Sequence, residues 1–330
     1  MRAIAIAGVA LVLASGAQAA DWQVHPVNTP ARVTAIDASG SQARIEAGGL
    51  WYQLSLTDGK PALTFVNAPA QPEPPDNALP HGLVATGTRD IARAWFAEPT
   101  PRYAHGVLGD KVEAGSLVIE MRDGKTQTVR LKDDAVFEDL TPRLADLDGD
   151  GHDEIVVVKS YLRQGSALAV VGQRGGKFSI IAETPPIGGP HRWLNPAGIA
   201  DFTGDGKTDI AVVRQPHVLG QLELWTWSGG RLTKAAELAD TSNHIAGARA
   251  LGMSVVADFD GDGIADLALP SLDRTRLRII SFVPNAREIA SVALPARAMT
   301  DLALVETGKG APAIAAGLEN GALMLVRAGP

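Results

Sequence analysis

The chain has 330 residues, 45% hydrophobic and 20% charged, an ordinary globular composition with enough apolar material for a large core. Thirty lysines and arginines against 37 aspartates and glutamates leave a net charge of −7, which argues against nucleic acid or an anionic membrane surface as the main partner. Cysteine is absent, so disulfides, thiolate metal sites and a cysteine nucleophile are excluded.

Met1-Arg2 is a short basic start, 3–14 is an apolar run, and small residues follow up to Ala17-Gln18-Ala19. This is the pattern of a signal peptide, 1–19, cut after Ala19. The run is too short to cross a bilayer and no later stretch approaches that length, so an exported product is expected, periplasmic or secreted, without a membrane span. Residues 20–330 read as one domain. Trp22–Val27 has strand character, and 33–66 holds a weak repeat unit with strands at 50–56 and 63–66. The stretch 68–80 contains Pro69, Pro72, Pro74, Pro75 and Pro80; it cannot be a central strand and is expected to be an exposed loop. Strand-like runs at 82–95, 117–121 and 127–131 fit a second weak unit.

Three segments then align without gaps: LADLDGDGHDEIVVV from Leu144, IADFTGDGKTDIAVV from Ile199 and VADFDGDGIADLALP from Val256. They open units at 144–198, 199–255 and 256–302. Short β-branched runs follow each acidic stretch (155–158, 210–213), then second strands at 167–171, 222–227 and 277–283, and third strands at 178–182, 232–238 and 288–294. Hairpin turns fall at Gly175-Gly176 and Gly229-Gly230. A degenerate copy at 303–316, with a strand at 323–326, closes the series. Repetition of four-strand units predicts an all-β chain folded as a β-propeller of four-stranded blades, about six of them, with five or seven also compatible. Trp22–Val27 is expected to complete the sheet begun by the last unit.

In each strong loop, oxygen-bearing side chains fall at positions one, three, five and nine: Asp146, Asp148, Asp150 and Glu154; Asp201, Thr203, Asp205 and Asp209; Asp258, Asp260, Asp262 and Asp266. Glycines at positions four and six permit the tight backbone, and the main-chain carbonyls at position seven (His152, Lys207, Ile264) can add an oxygen. An all-oxygen set suits Ca²⁺, and a bound dication relieves the repulsion among converging carboxylates. Two complete sets are expected to bind, and a third, weaker site where Thr203 replaces an acid. An EF-hand is excluded, because position twelve is Val157, Val212 or Leu269 and the following residues favour strands. Asp153 is expected to face water.

These loops, D-x-D-G-D-G-x-x-(D/E)-(I/L) followed by an apolar strand, resemble the FG-GAP/VCBS repeats of integrin-type β-propellers. The resemblance implies that each loop joins the first two strands of a blade and binds Ca²⁺. Glu154 and Thr203 depart from the commonest form.

If so, alternation of strand direction places the remaining loops on the opposite face. Those loops carry Tyr103, His105, Tyr161, Arg163, Arg214, His217 and Arg274, and the segments between units carry His191, Arg192, Trp193, Asn195, Asn243, His244 and Arg249. Such groups suit a polar glycan or an acidic protein surface. Trp225 and Trp227 share one strand face and are expected to pack between sheets. No nucleophile elbow, zinc-protease motif, phosphate loop or dinucleotide fingerprint occurs. The expected role is a Ca²⁺-stabilised module that binds a glycan or protein partner. The alternative is a lyase-like enzyme acting on an anionic polysaccharide through the same rim.

Overall fold

Short β-branched runs interrupted by glycine turns give strands and no helix. The computed structural model describes residues 21–38, 42–308 and 310–329, and among these there are 25 strands and no α-helix. The leader expected at 1–19 lies outside the described residues. Among the described residues no helix is long and apolar enough to cross a membrane.

The first sheet runs β2 (Val33–Asp37), β3 (Arg44–Ala47), β4 (Leu50–Thr57), β5 (Lys60–Val66), each antiparallel to the last. Two later sheets repeat that order: β15 (Leu194–Ala200), β16 (Asp209–Arg214), β17 (Gln221–Ser228), β18 (Arg231–Leu238), and β19 (Val255–Ala257), β20 (Asp266–Pro270), β21 (Arg276–Ser281), β22 (Arg287–Ala293). In the last sheet β23 (Ala298–Val305), β24 (Ala313–Leu318) and β25 (Leu323–Ala328) are joined by β1 (Trp22–Val27), in register from Trp22 opposite Ala328 to Val27 opposite Leu323. The strand expected to complete the final sheet does so.

The middle of the chain differs from the expected separate units. Here β6 (Ala85–Thr86), β7 (Ile91–Thr100), β8 (Glu113–Met121), β9 (Thr126–Arg130), β10 (Ala135–Phe137), β11 (Arg143–Ala145), β12 (Glu154–Tyr161), β13 (Gly165–Arg174) and β14 (Lys177–Glu183) form one nine-stranded sheet. The splice is β10, which pairs with β12 and, through Phe137 opposite Ala114, with β8. The run Ala135-Val136-Phe137 is wholly buried, so apolar burial draws a connecting segment into the ladder. The ladder breaks at Glu138-Asp139 and resumes at β11. Across that break the Asp139 carboxylate accepts the Val158 amide at 3.2 Å and pairs with Arg143 at 2.7 Å.

Apolar faces pack sheet on sheet along the chain. One core joins β2–β5 to the last sheet, another joins that sheet to β19–β22, and further cores join β15–β18 to β19–β22 and β11–β13 to β16 and β17. Trp225 and Trp227 lie in the last of these, as expected. Most of 68–80 is exposed and outside strands, but Leu79 is a buried plug whose amide donates to the Phe96 carbonyl at 2.7 Å. The architecture is all-β, with several four-stranded antiparallel sheets, and is compatible with a β-propeller. Antiparallel order sends the acidic stretches 146–153, 201–208 and 258–265 to one end of the sheets. Loops 101–112, 162–164, 215–220 and 271–275, with segments 184–193 and 239–254, go to the other.

Candidate functional site

The three acidic loops share one hydrogen-bond plan. Position one accepts two glycine amides: Asp146 from Gly149 (2.7 Å) and Gly151 (3.0 Å), Asp201 from Gly204 (2.7 Å) and Gly206 (2.8 Å), Asp258 from Gly261 (2.7 Å) and Gly263 (2.9 Å). Both glycines of every loop have positive φ, between 70° and 88°, where a side chain would be strained. Position five accepts the amide of position seven at 2.8–2.9 Å, bringing in His152, Lys207 and Ile264. Position nine starts the next strand and is buried; its carboxylate accepts the amide of position two, Leu147 (3.0 Å), Phe202 (3.1 Å) or Phe259 (2.9 Å). Those position-two side chains are core residues, so each loop is pinned from below.

Carboxylate oxygens of Asp146, Asp148 and Glu154 come within 4.8 Å of one another, as do those of Asp258, Asp260 and Asp262. Burial, with repulsion from Asp148, Asp150 and Asp146 behind it, pushes Glu154 up to about 7. Burial, then Asp260 and Asp262, pushes Asp266 up to about 6. A hard dication fits this donor set: it would be held by the two trios, replacing mutual repulsion with attraction. In the second loop the Thr203 hydroxyl donates to Asp209 at 3.0 Å, which occupies that carboxylate, and no such trio forms there among the described residues.

Neighbouring loops brace one another. The Thr208 hydroxyl donates to the Asp146 carbonyl at 3.0 Å, and the Ile264 side chain lies so close to Gly204 that a Cβ there would sit 2.6 Å from it. Asp153 corrects the expectation that it faces water. It is buried, accepts from Arg89 at 2.7 Å, and its amide donates to Asp90 at 2.9 Å. Asp90 also lies 3.3 Å from His152.

At the other end, six of the expected rim residues gather in two trios. His105 and His191 stack with centroids 5.0 Å apart, and Tyr103 lies 5.1 Å from His191, whose amide donates to its hydroxyl at 2.6 Å. Trp193 stacks on His217 (6.2 Å) and meets His244 edge-on (4.8 Å). Asn195 and Asn243 are wholly buried and tie β15 to the 239–254 segment, each donating to the other's carbonyl at 3.2 Å. Tyr161 stands apart in a trio with Lys159 (2.8 Å) and Glu183 (2.5 Å). Arg163 is exposed, Arg192 lies over Gly189, and Arg249 lies beside Gly109.

Glu138 was not among the expected residues. Its side chain is fully buried; one oxygen meets His105 Nδ1 at 2.5 Å, the other accepts the Ser160 hydroxyl, and its carbonyl accepts Trp193 Nε1 at 3.0 Å. The visible signal was an acidic pair, Glu138-Asp139, set inside the apolar run from Ala135 to Leu140.

Residues 146–212 and 201–269 match the FG-GAP-like repeat family. The chain carries FG-GAP-like repeats. Such repeats commonly bind Ca²⁺. A search of curated protein sequences gives no match. Among solved structures, the FG-GAP-like chain superposes on the Bacillus licheniformis rhamnogalacturonan lyase PL11 with TM-score 0.44 and 13% identity, covering 83% of this chain and 56% of the lyase. The corresponding figures for the rhamnogalacturonan lyase YesW are 0.44, 14%, 89% and 59%. For a luciferin-regenerating enzyme they are 0.42, 10%, 93% and 95%. The chain thus spans less than two thirds of the length of either lyase.

Proposed function

We propose that this is an exported, Ca²⁺-stabilised β-propeller of about six four-stranded blades, and that it binds a glycan or protein partner through the face away from the acidic loops. The FG-GAP-like repeats support the metal assignment, with Asp146, Asp148 and Glu154 and then Asp258, Asp260 and Asp262 as principal ligands. The observation that carries the binding reading is the placing of two ring trios, Tyr103, His105 and His191 and then Trp193, His217 and His244, at one end of the sheets, bridged by Glu138. Tyr103, Trp193 and His244 are buried and form the floor, so the surface open to a ligand is exposed His191 with half-buried His105 and His217. These are flat imidazoles with polar tips that suit contact with a sugar or an acidic side chain. A glycan array and a protein pull-down test this. His191→Ala and His217→Ala should each weaken capture at least tenfold, and equal capture by wild type and both variants would defeat it.

A second reading is favoured by the His105–Glu138 pair. A buried carboxylate on Nδ1 fixes the tautomer and leaves Nε2 free, the arrangement of a general base. In that reading the rim abstracts a proton from an anionic polysaccharide. Turnover of a polysaccharide panel, lost in His105→Ala and in Glu138→Gln, would establish it.

A further inference from the structure

Beside the rim lies a cleft of about 330 Å³ lined by His217, His244, Ile245, Leu272, Arg274 and Arg297. Its two arginines have little to hold. Arg274, half-buried, makes no side-chain hydrogen bond or ion pair among the described residues, and Arg297 approaches only exposed Glu319, at 3.9 Å. Asp273 also lines the cleft, and its carboxylate accepts from the Ser271 hydroxyl (2.6 Å) and from the Thr275 amide (3.1 Å) and hydroxyl (2.9 Å). Burial and the neighbouring Arg297 disfavour the charge on Arg274, outweighing the favourable field of Glu319. Its backbone is also held at φ +60°, a conformation in which glycine or asparagine would be easier. A long cation is kept at a position where a smaller residue would fold more readily.

The histidines complete the lining. The Ala248 carbonyl can only accept, so His244 Nε2 carries the proton of their 3.0 Å contact. In the neutral ring His244 Nδ1 must then accept, and His217 donates to it through Nε2 at 2.9 Å. Both rings are kept neutral, chiefly by burial, which brings each down to about 4. The cleft therefore has two cations and two neutral rings against one carboxylate, that of Asp273, whose oxygens already accept from Ser271 and Thr275.

We propose that this cleft is an oxyanion subsite, in which Arg274 and Arg297 take the carboxylate or phosphate group of an acidic sugar while Leu272 and Ile245 lie along its apolar flank. Guanidinium groups pair with such anions through two parallel hydrogen bonds, which suits them to the task. The inference rests on the rim being a binding face and names the charge of its ligand.

The test is titration at pH 7, following the Cε1–H resonances of His217 and His244. Glucuronate and glucose 6-phosphate distinguish the two anions, and glucose is the neutral control. A saturable shift with either acidic sugar, absent with glucose and weakened at least tenfold by Arg274→Gln, is expected. Arg297→Gln should weaken it less, and it provides the same comparison should Arg274→Gln fail to fold. Acidic sugars behaving like glucose, or binding unchanged in both variants, would overturn the subsite. So would binding of poly-glutamate alone. A rim partner captured equally by wild type and Arg274→Gln would remove the subsite and leave the binding face standing. Acidic sugars titrating His217 in the absence of any captured partner would support the subsite alone.

Discussion

Glu113 has its carboxyl almost wholly out of water, 1% exposed, and burial, followed by Glu138, Asp110 and Asp139, pushes it up to about 9. Between 4.5 and 9 the folded state keeps a proton that the unfolded chain releases, so the contribution is complete below 4.5 and lost as pH rises through 9. Its slope approaches about 1.4 kcal/mol per pH unit. Glu113→Gln should remove that slope, so its melting temperature, measured from pH 5 to 9, should fall less steeply than that of wild type. His244 acts with the opposite sign. Its folded value near 4 lies below the ordinary 6.5, so the unfolded chain binds the proton first and stability is lost as pH falls from 6.5 towards 4. Parallel curves for wild type and Glu113→Gln would show that Glu113 is ionised in the fold. Phe202 illustrates a different kind of residue. It is fully buried, meets Phe282 edge-on at 5.2 Å, and its amide is capped by Asp209. Phe202→Ala should cost about 3–5 kcal/mol in urea unfolding through the cavity it leaves.

At the scale of the loop, the oxygen spacing was legible because those positions are local, although which carboxylates converge was not: trios form in the first and third loops, without Asp150 and Asp266, and Thr203 takes up Asp209 in the second. Position nine was legible as an acid, but its burial and its bond to the position-two amide were not, since these depend on the core beneath. Asp153 was misread for a related reason. Its partners Arg89 and Asp90 come from a distant loop, and local sequence cannot show that contact. Excess chelator should lower the melting temperature. A single site at a hundredfold excess of free metal over Kd adds about 2.7 kcal/mol, roughly 5 °C for a chain of this size; an unchanged curve would count against structural Ca²⁺. Thr203→Asp should free Asp209 from its hydroxyl partner and supply the missing carboxylate. Calorimetric titration should then show the weakest of the three loops tightened at least tenfold, whereas Asp260→Asn should weaken the third.

For the molecule as a whole, the repeat period and turn glycines predicted four-stranded antiparallel units, and the return of Trp22–Val27 to the last sheet was readable from its strand character and the incomplete last unit. The fusion of two units by β10 was not. Three buried residues between repeats carry no signal that distinguishes a covered connector from a strand. The convergence of the rim was legible only as loop membership; Glu138 entered through tertiary packing. Removing residues 21–27 deletes six paired positions and the buried side chains of Trp22 and Val27. The truncated chain should melt more than 10 °C lower, and a synthetic peptide of those residues should restore part of the loss in differential scanning calorimetry. The same arrangement has a consequence for handling the protein. Until β1 arrives from the far end of the sequence, β25 offers an unoccupied edge, and nothing about that edge distinguishes the chain's own strand from one donated by a second molecule. Refolding at high concentration therefore favours exchanged dimers in which two copies lend each other their first strand, and dilution before refolding favours the monomer.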